Sequence, residues 1–163
     1  MLETIPDVEV DAEWPYYDRA PRERLSAGSR LAALRRGFYE NALSAVAKDR
    51  QVRVTTYVLA GPGIDAGATH ALLAEFADGR GWRLCRGCFT DRPRLGPVPA
   101  GARPEFYRAC RAAGAGFVDG ILTTSRQAMP ASDDAYEGYL RWLHDRFTFI
   151  AYLPTPGGTS WTD

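Results

Sequence analysis

Between residues 51 and 153, apolar segments rich in β-forming residues alternate with amphipathic ones, and this alternation limits the fold more than any other feature. It predicts strands over 51–60, 82–89, 117–123 and 147–153, and helices over 65–79, 104–114 and 132–146, the last with Ser132 as its N-cap. Strands that are each followed by a helix favour a parallel sheet with right-handed crossovers. We therefore expect a three-layer α/β fold: a mostly parallel sheet of about four or five strands with helices on both faces.

One more helix is predicted ahead of this core, over residues 30–48, with Ser29 as its N-cap. Its apolar residues recur at helical spacing: Leu31, Leu34, Phe38, Ala42 and Ala45. Arg35 and Arg36 are expected mostly off that apolar face. We expect the face to pack on the chain's own sheet, with packing against a second copy of the chain as the alternative.

The two ends of the chain differ from the core in composition. Residues 1–27 are rich in acidic residues and hold the aromatic cluster Trp14, Tyr16 and Tyr17, which predicts an extended arm that docks on the body of the protein or on a partner. Residues 28–153 are predicted to form a single α/β domain. Residues 154–163 form a tail rich in proline and glycine.

Composition excludes several classes of function. The net charge is +0, so no overall electrostatic attraction draws the chain to nucleic acid or to an acidic membrane. No apolar run is long enough to cross a bilayer, no signal peptide is visible, and the cysteine count is odd, so we expect a cytoplasmic protein. Cys85, Cys88 and Cys110 are expected to be buried thiols, and neither a metal nor a cofactor is predicted.

Five segments of the core carry a recognisable pattern. They are residues 53–61, which end in Tyr-Val-Leu-Ala-Gly; residues 74–82, a predicted helix that ends in Gly-Arg-Gly-Trp; the Ala-Arg-Pro-Glu-Phe of residues 102–106; residues 118–126; and residues 133–146, which contain Tyr-Leu-Arg-Trp-Leu at 139–143. In this order they resemble the catalytic domain of the serine recombinases, the resolvase and invertase family. The resemblance covers residues 51–153 and implies a resolvase-like core and an association with DNA.

The residues that would carry the family's chemistry differ in this chain. The resemblance places the family's nucleophilic serine at Gly61 and its aspartate at Ser125. Two of the family's arginines fall on Leu59 and Met129. Arg103 and Arg126 keep the family's residue type. Recombination needs a hydroxyl to attack a DNA phosphate and arginines to hold the developing charge. We therefore predict that the chain is not an enzyme.

The favoured hypothesis is a non-catalytic regulatory or adaptor protein that binds a protein partner or a second copy of itself. Trp14, Tyr16 and Tyr17 are its candidate contacts. The first alternative is a DNA-binding regulator associated with a mobile element, in which Arg92 and Arg94 of the loop over residues 90–102 contact phosphates.

The second alternative is a small-molecule or phosphate sensor. A glycine-rich turn over residues 61–67 joins a strand to a helix, where backbone N–H groups can hold an anion. Gly61, Gly63, Arg103 and Arg126 are the candidate residues. Pro62 removes one donor, and the glycine spacing matches neither of the common phosphate-binding motifs, so a tight turn is the competing interpretation.

Overall fold

The structure, a computed structural model, describes residues 26–46, 48–93, 103–130 and 132–154. The helices are α1 (Ala27–Ala45), α2 (Ala66–Gly79), α3 (Pro104–Gly114) and α4 (Asp133–His144), and the strands are β1 (Arg53–Leu59), β2 (Arg83–Asp91), β3 (Gly120–Thr123) and β4 (Phe149–Tyr152). A short 3-10 turn, Arg126–Ala128, follows β3. The predicted order of elements is confirmed, with strand ends shifted by a few residues. Among these helices, none has the length and apolar character needed to cross a membrane.

The four strands form one parallel sheet in the order β2-β1-β3-β4. Successive strand residues point to opposite faces. On one face Tyr57 and Ile121 pack with α3 and α4. On the other face Val54 and Leu122 pack with α2. The three-layer α/β fold expected from the sequence is therefore confirmed.

Helix α1 covers the β4 edge of the sheet and contributes to both faces. Leu31 packs in the core that contains α4, whereas Ala42 packs in the core that contains α2. Between them Arg35 is 4% exposed, and its Nη1 donates to the Ile150 carbonyl at 3.2 Å. The expectation that Arg35 lies off the buried face was wrong, because a residue four positions after Leu31 shares its face.

The start of α1 also differs from the expectation. Ser26, and not Ser29, is the N-cap: the Ser26 hydroxyl accepts a hydrogen bond from the Ser29 backbone N–H at 3.1 Å. The expectation of Ser29 was wrong because Ser26, one turn earlier, has the same capping side chain and the helix begins there. Most of the predicted arm and tail, residues 1–25 and 155–163, lies outside the described residues.

Asp119 joins the amino ends of β1 and β3. Its carboxylate accepts hydrogen bonds from Arg50 at 2.8 and 2.9 Å and from the backbone N–H of Arg53 at 2.8 Å. Burial alone would raise the pKa of Asp119, but these hydrogen bonds and the positive charge of Arg50 outweigh it and hold the pKa below its ordinary value.

Cys85 and Cys88 lie in an irregular part of β2, and Cys110 lies in α3. Around Gly87, which has φ 77°, the register between β1 and β2 shifts, so that more residues of β2 than of β1 span the same stretch. Cys110 is buried, Cys85 is half-buried and Cys88 is exposed. The expectation of three buried thiols was therefore wrong for Cys88. The described residues contain no group of three or more potential metal ligands.

An aromatic cluster fills the space between the sheet and the carboxyl half of α1. The ring of Phe149 lies 5.1 Å from that of Tyr39 and 5.8 Å from that of Trp82. Phe149 also lies directly over Gly120, where an added Cβ would come within 2.4 Å of the phenyl ring. Glycine is needed there because any side chain would displace the cluster.

Candidate functional site

The strand order reverses between β1 and β3, because β2 lies on one side of β1 whereas β3 and β4 lie on the other. In open α/β sheets, ligands usually bind at such a point, beyond the carboxyl ends of the strands. There β1 ends in Leu59, followed by Ala60 and Gly61, which carry no charge and no nucleophile. A Cβ added at Gly61 would meet no atom within 4 Å. The backbone thus leaves room for a side chain at this position.

Next to this point, Asp91 closes β2 and is 4% exposed. Its carboxylate accepts hydrogen bonds from the Tyr57 hydroxyl at 3.0 Å and from the backbone N–H groups of Glu105 and Phe106 at 3.1 and 2.9 Å. These are amides of the first turn of α3, so Asp91 caps that helix from a neighbouring strand. Burial, with the charge of Asp91, raises the pKa of Tyr57, so the phenol stays protonated and donates.

The two arginines predicted to bind an anion are attached to the segment after β3. Arg103 donates from Nη1 to the Ala128 carbonyl. Arg126 donates from Nη1 to the Pro130 carbonyl at 2.5 Å, and its Nη2 lies 3.2 Å from the Asp133 carboxylate. Both side chains thus contact the segment after β3, at Ala128, Pro130 and Asp133. Gly61 and Gly63 lie instead in the turn before α2.

The start of α2 already contains a negative charge. Asp65 is its N-cap, and the carboxylate accepts a hydrogen bond from the Ala68 backbone N–H at 3.1 Å. A carboxylate in this position is favourable for the helix but repels a second anion. Gly63, with φ 79°, forms the tight turn. Anion binding at Gly61 and Gly63 stays a prediction, and the position of Asp65 argues against it.

The predicted interaction residues are mostly outside the described part of the chain. Arg92 is exposed immediately after β2, at the start of the predicted basic loop. Arg94, Trp14, Tyr16 and Tyr17 lie outside the described residues. Their roles stay predictions.

His70 links α2 to two strands. Its Nδ1 lies 2.8 Å from the Thr56 hydroxyl, and its Nε2 lies 2.8 Å from the Thr90 hydroxyl. A neutral imidazole has one donor and one acceptor, so it satisfies both hydroxyls at once. Burial lowers the pKa of His70, which favours this neutral form.

A cleft of about 610 Å³ opens at the carboxyl ends of β3 and β4, beside the amino half of α1. Four parts of the chain line it: Gly28, Leu31, Ala32 and Arg35 of α1; Thr124, Ser125, Arg126 and Gln127 after β3; Tyr136 of α4; and Tyr152, Leu153 and Pro154 at the end of β4. Its size is typical of a small-molecule site.

Two tyrosines and two arginines are arranged in pairs along this cleft. The hydroxyls of Tyr136 and Tyr152 lie 2.5 Å apart. The guanidinium of Arg126 lies over the Tyr136 ring at 4.0 Å, and that of Arg35 lies over the Tyr152 ring at 4.5 Å. Burial raises the pKa of both tyrosines, so both remain hydroxyl groups at neutral pH.

Only Arg126 of these four was singled out from the sequence. Arg35 could have been found from its spacing to Leu31, which places it on the buried stripe of α1. The hydrogen bond between Tyr136 and Tyr152 could not be predicted from a local sequence pattern, because it depends on how α4 packs against β4.

No family model matches this chain, and no curated protein matches it. Among solved structures, it is similar to the crystal structure of the N-terminal catalytic domain of TP901-1 integrase. The two share 17% sequence identity with a TM-score of 0.52, over 62% of this chain and 76% of that one. At this identity the likeness concerns the fold alone, and it confirms the resolvase-like fold expected from the sequence.

Proposed function

We propose that this protein is a non-catalytic, resolvase-like regulatory or adaptor protein that acts by binding another macromolecule. One observation carries the proposal: Gly61 stands beyond the end of β1, where the family resemblance places the attacking serine. The backbone has room for a side chain there, yet the chain supplies only a hydrogen atom. Without a hydroxyl, no covalent bond to a DNA phosphate can form at this position.

The surroundings of Gly61 support the same proposal. Leu59 and Met129 stand where the resemblance places two arginines, and Met129 is 1% exposed in the core. The nearby polar groups have structural contacts: Asp91 caps α3, and Arg103 holds the Ala128 carbonyl. Stabilising a phosphoryl transition state requires cations that point at the developing charge. The guanidinium of Arg103 donates to the Ala128 carbonyl instead.

The absence of catalysis is tested with purified protein and supercoiled plasmid, followed by a salt-titrated gel shift on duplex DNA. We expect neither relaxation of the plasmid nor retardation of the duplex at low salt. Relaxation would contradict the non-catalytic proposal. Retardation that weakens as salt rises would instead support the alternative of a DNA-binding regulator.

The binding part of the proposal is tested by chemical cross-linking in cells that express the full chain, followed by mass spectrometry. The expected result is the chain joined to a second protein or to a second copy of itself. Recovery of the uncross-linked monomer alone, at cross-linker doses that capture a known complex in the same cells, would contradict it.

A further inference from the structure

We propose that the cleft between α1, α4 and the end of β4 binds a small organic carboxylate with an apolar body. This inference goes beyond the macromolecular binding proposed above, and its test does not depend on that binding. The proposal is based on the size of the cleft, the character of its walls and the charge at its polar side.

The dimensions of the cleft match a small organic ligand. Its volume of about 610 Å³ falls within the range of roughly 300–1,000 Å³ that is usual for such sites. A molecule of about 10–20 non-hydrogen atoms would be largely enclosed. The cleft also opens where ligands of α/β sheets usually lie, beyond the carboxyl ends of parallel strands.

Most of the cleft wall is apolar. Leu31, which is 1% exposed, and Ala32 line it from α1, and Leu153 and Pro154 line it from the residues that follow β4. The half-buried ring of Tyr152 adds aromatic surface, whereas Tyr136, which is 1% exposed, lies behind it in the core. An apolar ligand body would gain free energy by leaving water for this surface.

The polar residues of the cleft favour a negative charge. Arg35 and Arg126 both line it, whereas none of the described residues that line it is an aspartate or a glutamate. A guanidinium binds a carboxylate through two parallel hydrogen bonds, which suits a planar monoanion. Low exposure around Arg35 weakens screening by water and strengthens the attraction.

A carboxylate fits better than a phosphate dianion. Asp133, next to the cleft, lies 3.2 Å from Arg126 and offsets part of its positive charge. The remaining positive charge is sufficient for a monoanion but not for a dianion with three oxygens to satisfy. The Ser125 hydroxyl supplies a further donor for the carboxylate group. The hydrogen bond between Tyr136 and Tyr152 uses the proton of one hydroxyl, so this pair leaves one more donor.

The binding test uses the full chain, isothermal titration calorimetry and four probes. The probes are 4-phenylbutyrate, octanoate, the neutral amide 4-phenylbutyramide and phenyl phosphate. We expect both carboxylates to bind saturably and the amide and the phosphate to bind at least about tenfold more weakly. No saturable binding of either carboxylate would overturn the proposal, as would equal affinity for the amide.

The location of the site is tested with a matched pair of variants on one helix. Ala32→Phe places a ring in the cleft, whereas Ala33→Phe places the same ring on the exposed side of α1. We expect Ala32→Phe to weaken 4-phenylbutyrate binding by at least about tenfold and Ala33→Phe to change it less than about twofold.

The charge of the site is tested with Arg35→Gln, with folding checked by circular dichroism. This variant should lower the affinity for 4-phenylbutyrate by at least about tenfold and leave the weaker affinity for the amide unchanged. If Arg35→Gln does not fold, Arg126→Gln gives the same comparison. Binding that is unaffected by Ala32→Phe, or a carboxylate preference that survives removal of the arginine charge, would overturn the proposal.

Discussion

The carboxylate of Asp91, at the end of β2, accepts a hydrogen bond from the Tyr57 hydroxyl at 3.0 Å while it caps the first turn of α3. Tyr57 is fully buried in β1, so this contact joins an inner strand of the sheet to the neighbouring strand β2 and to α3. The polar groups nearest the carboxyl end of β1 thus contribute to the stability of the fold.

Removal of this carboxylate should therefore be costly. Asp91→Ala leaves the phenol and two helix amides without their acceptor, and we expect a loss of about 2–4 kcal/mol in the free energy of unfolding. Tyr57→Phe removes one hydrogen bond and should cost about 1 kcal/mol. Urea denaturation measures both. Asp78→Ala, at an exposed position of α2, is the control and should change stability by less than about 0.5 kcal/mol. Equal losses for Asp91→Ala and Asp78→Ala would rule out the capping role.

The close approach of Phe149 to Gly120 predicts opposite effects for the same substitution at two glycines. Gly120→Ala forces the ring out of the aromatic cluster and should destabilise the protein by about 1–3 kcal/mol. Gly37→Ala, inside α1 with no atom within 4 Å of the new Cβ, should stabilise it by up to about 1 kcal/mol. Thermal unfolding compares the two variants, and a stabilising Gly120→Ala would show that the ring is not held where the structure places it.

Asp119 predicts how stability depends on acid. Its pKa in the folded protein lies below its ordinary value, so its contribution is present above about pH 4 and is lost as the pH falls through the folded pKa. Asp119→Asn should destabilise the protein at neutral pH and flatten the loss of stability between about pH 5 and pH 2. Urea titrations at several pH values measure this slope, with Asp78→Asn as the control. An unchanged slope in Asp119→Asn would contradict the prediction.

His70 predicts a second pH dependence, at higher pH. Because burial lowers its pKa in the folded state, folding disfavours the protonated imidazole, and stability should fall as the pH drops below about 6.5. The melting temperature of His70→Gln should therefore fall less than that of the native chain when the pH is lowered from about 7.5 to about 5. The chain has 2 histidines, and His144→Gln, which retains His70, should show the same fall as the native chain. The same pH dependence in both variants would exclude His70 as its source.

Much of this fold could be predicted from local patterns. Strand and helix periodicity are short-range properties, so the order of elements and the cap at Ser132 were accessible without tertiary information. The cap of α1 could not be predicted in the same way, because Ser26 and Ser29 both have capping side chains and only the structure shows that the helix begins after Ser26.

The cleft was harder to predict than the fold. Arg35 is buried because it reaches the Ile150 carbonyl on β4, 115 positions further along the chain. The spacing of Arg35 to Leu31 places it on the buried face of α1, but arginine is a residue type that is usually solvated, and residue type was given more weight than spacing. The meeting of Tyr136 and Tyr152 likewise depends on where α4 and β4 pack.

The most direct test of the central claim is a search for protein covalently attached to DNA. The native chain and its Gly61→Ser variant are each incubated with labelled duplex DNA, denatured, and separated by gel electrophoresis. A Cβ added at position 61 meets no atom within 4 Å, so Gly61→Ser should fold with nearly unchanged stability. We expect no covalent adduct with the native chain. An adduct with the native chain that mass spectrometry maps to a hydroxyl side chain would contradict the account.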